Sequence, residues 1–359
     1  MQPVSPTPSA GRARLAAGSG PARPRKPRGG WIWTLSGLAV VGAMSTVIAF
    51  MMMRPGPESA VPMSVATRTL TVRQPLSHVT LQSYGGNVRV VGGGSATRVT
   101  EQITYNSLQG PAPAVTASDS GGQLSLTIPA CATQDCMAWF SVTVPASVSV
   151  TAVTEGGNVV VAGVAGANLD SGGGSVIATS VRGSLTVASE GGSQGLAGIS
   201  GPLEDESGGG RVIAAGVTGS SAVIATDGGQ LSAQGLSVRS AILSSGGNNA
   251  GVVFSAAPSS ATITTDGGRA VVEVPGGPYA LTADSGGGNE GVSVPTSPTA
   301  TSTLTVVTGG GALFVAPPSG NPAVTPALSF PFDLNPSSIP RDQNVAPVNR
   351  PAPLVPGGP

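Results

Sequence analysis

Nine times between residues 154 and 311 the chain returns to a doubled or tripled glycine: TEGGN, DSGGG, SEGGS, ESGGG, TDGGQ, SSGGN, TDGGR, DSGGG and VTGGG. The first glycines of these copies are Gly156, Gly172, Gly191, Gly208, Gly228, Gly246, Gly267, Gly286 and Gly309, 16 to 23 residues apart. A short, slightly drifting period of this size marks a solenoid, in which each repeat buries its apolar face only by stacking on its neighbours. Apolar residues follow the glycines in matching sets: Val176, Ala178, Val181, Leu185 and Val187, then Val212, Ala214, Val217, Ala222 and Ile224, then Leu231, Ala233, Leu236, Ala241 and Leu243. Steps of two put side chains on one face of a strand, and the longer middle step crosses a corner. Each rung is thus predicted to hold two short strands and two turns, with the glycines as turn formers. Nine rungs at the strand spacing make a stack about 40 Å long. The residue before the first glycine alternates between acid (Glu155, Glu190, Asp227, Asp266) and serine (Ser171, Ser207, Ser245, Ser285). That alternation predicts a two-rung unit in which like charges avoid direct stacking.

Composition agrees. Only 3% of residues are aromatic, and the apolar share comes mostly from Val, Ala and Ile, which suit closely stacked strands. The glycine motif has degenerate forms at 83–90 (SYGGNVRV) and 120–129 (SGGQLSLTIP), expected to build the first, irregular rungs. Between them and the regular copies, Cys131 to Phe140 is expected to be an excursion in which Trp139 and Phe140 cover the core at that end. A solenoid end otherwise exposes unpaired backbone.

Residues 31–53, WIWTLSGLAVVGAMSTVIAFMMM, are an uncharged run of 23, about 35 Å as a helix and enough to span a bilayer core. Trp31 and Trp33 stand at its N-terminal edge as membrane-interface anchors. Residues 1–57 carry Arg12, Arg14, Arg23, Arg25, Lys26, Arg28 and Arg54 and no acid, which places that end in the cytoplasm and the C-terminal body outside. A cleaved signal peptide is the other reading, but this apolar run exceeds the usual length of a signal core. The organisation expected is a disordered basic tail at 1–30, a transmembrane helix at 31–53 and a juxtamembrane linker at 54–74. The extracytoplasmic solenoid follows at 75–315, with regular rungs from 154 to 315. From Pro317 onward proline is dense and no apolar period survives, so 316–359 reads as a Pro-rich disordered tail.

The only two cysteines, Cys131 and Cys136, fall where this topology excludes the reducing cytoplasm, and a local disulfide is the expected reading. Free thiols and redox chemistry are the other readings, though a redox pair normally has the shorter CxxC spacing. Enzyme classes find little support, because no GxSxG, HExxH or P-loop pattern is present and the single histidine, His78, has no companion. No catalytic, cofactor-binding or metal-ligating residue is assigned. Calcium-binding β-rolls place acids after their glycines, whereas here acids precede them on alternate rungs only. Beyond residue 57 the chain carries ten arginines against seventeen acids, which excludes a basic nucleic-acid face.

The succession GGNVRVVG, LSLTIP, then VTVPASVSVTAVTEGGNVVV at 142–161 and repeated SGGGxVxA copies resembles the bacterial family known as the putative adhesins, or DUF4097, over about residues 75–315. The resemblance implies an all-β fold, a single-stack β-solenoid of β-helix or β-roll type, here preceded by one transmembrane helix. It also implies roles in surface attachment or envelope stress, and no catalytic motif. Family members carry a single glycine followed by Asp or Asn at the corner, where this chain has two or three glycines. The function expected is therefore non-catalytic: an adhesin-like binding or scaffold protein of the cell surface or envelope, with a protein or glycan partner and no cofactor. The alternative is a membrane-tethered envelope-stress sensor or regulator, and the third reading is a solenoid enzyme acting on polysaccharide.

Overall fold

The computed structural model describes residues 63–128 and 136–318. The expected cytoplasmic tail, the transmembrane segment with Trp31 and Trp33, Cys131 and nearly all of the Pro-rich tail lie outside the described residues. No helix among the described residues is long and apolar enough to cross a membrane.

The described residues form an all-β solenoid of two parallel strand stacks joined by corners. In spatial order, stack A consists of β6 (Gln123–Thr127), β2 (His78–Ser83), β8 (Ser149–Thr154), β10 (Gly166–Ser171), β12 (Leu185–Ser189) and β14 (Leu203–Ser207). It continues through the second halves of β15 (Val212–Thr226) and β16 (Leu231–Ser245), then β18 (Ser260–Thr265), β22 (Ser302–Val307) and β20 (Tyr279–Asp284). Stack B runs alongside. Its strands are β7 (Cys136–Val144), β3 (Val88–Gly92), β9 (Val159–Ala162), β11 (Val176–Thr179), β13 (Gln194–Ser200) and the first halves of β15 and β16. Next come β17 (Ala250–Phe254), β19 (Ala270–Glu273), β23 (Leu313–Ala316) and β21 (Glu290–Val292). The nine glycine corners from residue 155 onward each join an A strand to its B strand, as the repeat predicts.

The order in space departs from the order in sequence at both ends. The β2–β3 rung lies inside the β6–β7 rung that follows it, and the β22–β23 rung is inserted between β18–β19 and the earlier β20–β21. Neither inversion leaves a sign in a single sequence, because every rung carries the same pattern.

The core is a set of columns. On stack A, Val150, Ala167, Leu185, Leu203, Ala222, Ala241 and Ala261 fall in one register, and on stack B, Val159, Val176, Gln194, Val212, Leu231 and Ala250 in another. All three apolar sets named from the sequence are buried. Each fully buried Val, Leu or Ile contributes about 1.5–3 kcal/mol by leaving water, and stacking repeats that gain rung after rung.

The N-terminal end is built differently. β1 (Met63–Val72) pairs antiparallel with β4 (Thr97–Asn106), which pairs antiparallel with β7. β1 thus occupies much of the segment expected to be a linker at 54–74. Its sequence, MSVATRTLTV, is largely exposed and gains its partner only through tertiary pairing. The glycines of SGGQ do not make a rung corner either. Gly121 (φ 61°) and Gly122 (φ 78°) turn the antiparallel hairpin between β5 (Thr116–Ser120) and β6, the two-residue turn in which both residues need positive φ. Of the two aromatics expected to close that end, Phe140 enters the core at 2% exposure, while Trp139, its neighbour on the strand, points the other way and is only half-buried.

Candidate binding faces

The corners fix which side chains reach the outer faces. Aligned by backbone pairing, each corner reads Ser or Thr, then a variable residue, then two positions that are nearly always glycine. The first position, at Ser83, Thr154, Ser171, Ser189, Ser207, Thr226, Ser245, Thr265, Ser285 and Thr308, is buried throughout. Its hydroxyls form a spine. Thr154 Oγ1 donates to the Gly86 carbonyl at 3.0 Å and accepts from the Gly157 N–H at 3.0 Å. Ser171 Oγ reaches the Gly157 and Gly174 carbonyls at 3.0 Å each, and Thr226 and Ser245 repeat the link to Gly210 and Gly229 at 3.2 and 3.1 Å.

In this register the predicted turn glycines belong to two different positions. Gly156, Gly191, Gly228 and Gly267 are third in the corner, and Gly267 has φ 93°, a conformation a side chain rarely adopts. Gly172, Gly208, Gly246, Gly286 and Gly309 are second, aligned with Glu155, Glu190, Asp227 and Asp266 on the alternate rungs. A Cβ at Gly172 would stand 2.2 Å from the Glu155 carbonyl oxygen, and one at Gly208 2.3 Å from that of Glu190. The alternation read as acid against serine is therefore acid against glycine, with a steric cause. The four acids are exposed in a row, two rungs or about 10 Å apart. The fourth position is glycine because rungs meet there: a Cβ at Gly192 would lie 1.9 Å from the Gly174 carbonyl oxygen.

The outer face of stack A presents short polar side chains in register. One column runs Thr80, Thr151, Asn168, Thr186, Glu204, Val223, Ile242, Thr262, Thr305 and Thr282. A parallel column includes Ser221, Ser240, Ser260 and Thr303. His78 sits at the N-terminal edge of this face, its Nε2 3.1 Å from Thr151 Oγ1, a cross-rung hydrogen bond within the surface.

Two polar residues break the core columns, and the sequence reading passed over both. Asp205 on β14 lies between Val187 and Ile224 at 0% exposure, and neither carboxyl oxygen has a hydrogen-bond partner among the described residues. Burial first, and the neighbouring Glu206 second, push its pKa well above the usual carboxylate range. Gln194 on β13 is also fully buried. Its Nε2 crosses the core to the Glu206 carbonyl at 3.0 Å, while its Oε1 has no partner among the described residues. The signal was the pattern LEDES, with Asp at the middle inward position where LTVAS and AVIAT place Val187 and Ile224.

Two hollows lie near the ends. One, of about 250 Å³, is lined by Leu70, Val99, Leu126 and Phe140 with Arg68 and Glu101. Burial raises the Glu101 pKa, and Arg68 pulls it partly back. The other, of about 400 Å³, is lined by Tyr279, Leu281 and hydroxyl-bearing residues including Thr282, Thr296 and Thr305; the Tyr279 hydroxyl donates to the Pro275 carbonyl. Among the described residues, no three His, Cys, Asp or Glu side chains gather in a way that could hold a metal ion. Cys136 opens β7, half-buried against the core; its expected partner Cys131 lies outside the described residues.

No protein-family model matches the chain, and no curated protein matches it in sequence. Among solved structures, similar chains have low identity and low TM-scores. A putative adhesin from Parabacteroides merdae is 13% identical over 70% of this chain and 96% of its own, with a TM-score of 0.38. A putative cell adhesion protein from Clostridium sporogenes is 10% identical over 71% and 100%, TM-score 0.24, and a putative lipid binding protein from Parabacteroides distasonis is 9% identical over 70% and 96%, TM-score 0.26. At such values the likeness carries no argument about function.

Proposed function

We propose that the protein is a non-catalytic binding or scaffold protein of the cell surface or envelope, presenting the outer face of stack A to a protein or glycan partner. The observation that supports this reading is the ordered array of Thr, Ser and Asn on that face, repeated at the rung spacing of about 4.8 Å. Many short hydroxyls held by a rigid backbone lose little side-chain entropy on binding, and each contributes a weak, water-exchanging hydrogen bond. In this reading residues 31–53 anchor the chain in the plasma membrane, residues 1–30 are cytoplasmic, and the solenoid is extracytoplasmic with Cys131 and Cys136 bridged.

Replacing Thr262, Thr282 and Thr305 together by Ala leaves the fold intact, since these side chains point outward, and lowers binding of the full chain to isolated cell envelopes. Unchanged binding would exclude this face. Crosslinking on intact cells separates the readings further, because recovery of a cytoplasmic regulator alone would favour a tethered sensor over an adhesin. The bridge has its own check: full-length protein resists maleimide labelling until reduced.

A further inference from the structure

The outer face of stack B differs from that of stack A. One column in register runs Val160, Ile177, Gly195, Ile213, Ser232, Gly251, Val271 and Phe314. These side chains point away from the core, yet Val160 is 6%, Ile177 7%, Ile213 2% and Ser232 4% exposed. Ile242, the outward isoleucine of stack A, is 52% exposed although flanked by the branched Val223 and Thr262. In its own column Ile213 is flanked by Gly195 and Ser232, too small to hide it, and beside it on the outer face Arg211 Nη2 donates to Gln230 Oε1 at 3.0 Å. No strand among the described residues lies over the stretch from Val160 to Ser232, whereas at the far end of the column the Arg269 guanidinium lies over the Phe314 ring, 4.8 Å from its centroid. The Nε of Arg211, just before β15 and two residues from Ile213, is likewise buried with no hydrogen-bond partner among the described residues.

We infer that the C-terminal segment around Leu328–Leu334 docks in an extended form along this apolar face and covers it. The segment beyond residue 318 follows β23, whose Phe314 is the second-to-last member of the column, with only Gly291 of β21 beyond it. Ten extended residues reach about 33 Å, close to the length of an eight-rung column at about 4.8 Å per step. Although the tail as a whole lacks a period, residues 328–334 read LSFPFDL, which in an extended chain sets Leu328, Phe330, Phe332 and Leu334 on one side. Pro331 costs nothing there, since a chain lying on a sheet face makes no ladder hydrogen bonds. The glycines at 195 and 251 present no side chain to this face. The other apolar stretch, residues 31–53, is attached through β1, which pairs at the opposite end of the stack.

The test uses the full chain with the photocrosslinking residue p-benzoylphenylalanine in place of Ile213, and separately of Ile177 should the first variant not fold. After irradiation and digestion, the expected product is an adduct within one chain to a peptide from 324–339. In the same chain, Phe330→Asp with Phe332→Asp lowers its yield at least fivefold. An adduct to residues 31–53, to a second copy or to lipid, or no adduct from either position, would overturn the inference.

Discussion

Adjacent glycines in one corner carry opposite constraints, and the difference is measurable. Gly191 has no atom within 4 Å of a would-be Cβ, whereas Gly192 faces the Gly174 carbonyl at 1.9 Å. Gly191→Ala is expected to change stability by less than about 0.5 kcal/mol. Gly192→Ala is expected to cost more than about 3 kcal/mol, because two rungs must separate to admit a methyl group; urea unfolding of both variants reads the contrast. Asp205 adds a pH dependence with a definite sign. Unfolded, its carboxyl ionises near pH 4, while in the core burial keeps the proton on to higher pH. Folding therefore takes up a proton in the window between, so the contribution of Asp205 is most favourable below about pH 4 and is lost as pH rises through the folded pKa. Asp205→Val is expected to stabilise the protein by about 1–3 kcal/mol at pH 7, with the gain shrinking towards pH 4. A variant whose advantage stays constant over that range would show that Asp205 does not carry the proton.

At the level of strands and corners, the hydroxyl spine does what a turn motif normally does within one turn, but it does so between rungs. Thr226→Val keeps the shape and removes the hydroxyl that joins the Gly210 carbonyl to the Gly229 N–H. The expected loss is about 1–3 kcal/mol, since a buried acceptor and donor are left unpaired, read as a fall in the denaturation midpoint. The existence and period of these elements were legible in the sequence because the Val, Ala, Leu and Ile spacing is set by the pleat. The corner register was not, because counting from the first glycine mixes two positions. Counted from the buried hydroxyl residue instead, the steps from Thr154 to Thr308 are 17, 18, 18, 19, 19, 20, 20 and 23, a steady lengthening where the glycine count shows alternation. β1 and the Gly121–Gly122 hairpin escaped notice for a related reason: their pairing is antiparallel, and nothing local distinguishes them from linker and rung. The outer faces were legible only as composition, since which side is covered depends on residues distant in sequence.

For the molecule as a whole, the inverted rung order at each end decides how the stack opens. In a simple solenoid the terminal rung in sequence is also terminal in space and frays first. Here β22 is hydrogen-bonded on both sides, to β18 and to β20, although it follows β20 in the chain. Native-state hydrogen exchange should therefore find the amides of Leu304 and Val306 slower than those of Leu281 and Ala283, the reverse of their distance from the C-terminus. The same insertion governs the response to force. A load applied through residue 318 does not peel the stack one rung at a time; it must shear a rung out from between two others. A chain pulled from that direction would hold until several ladders broke together.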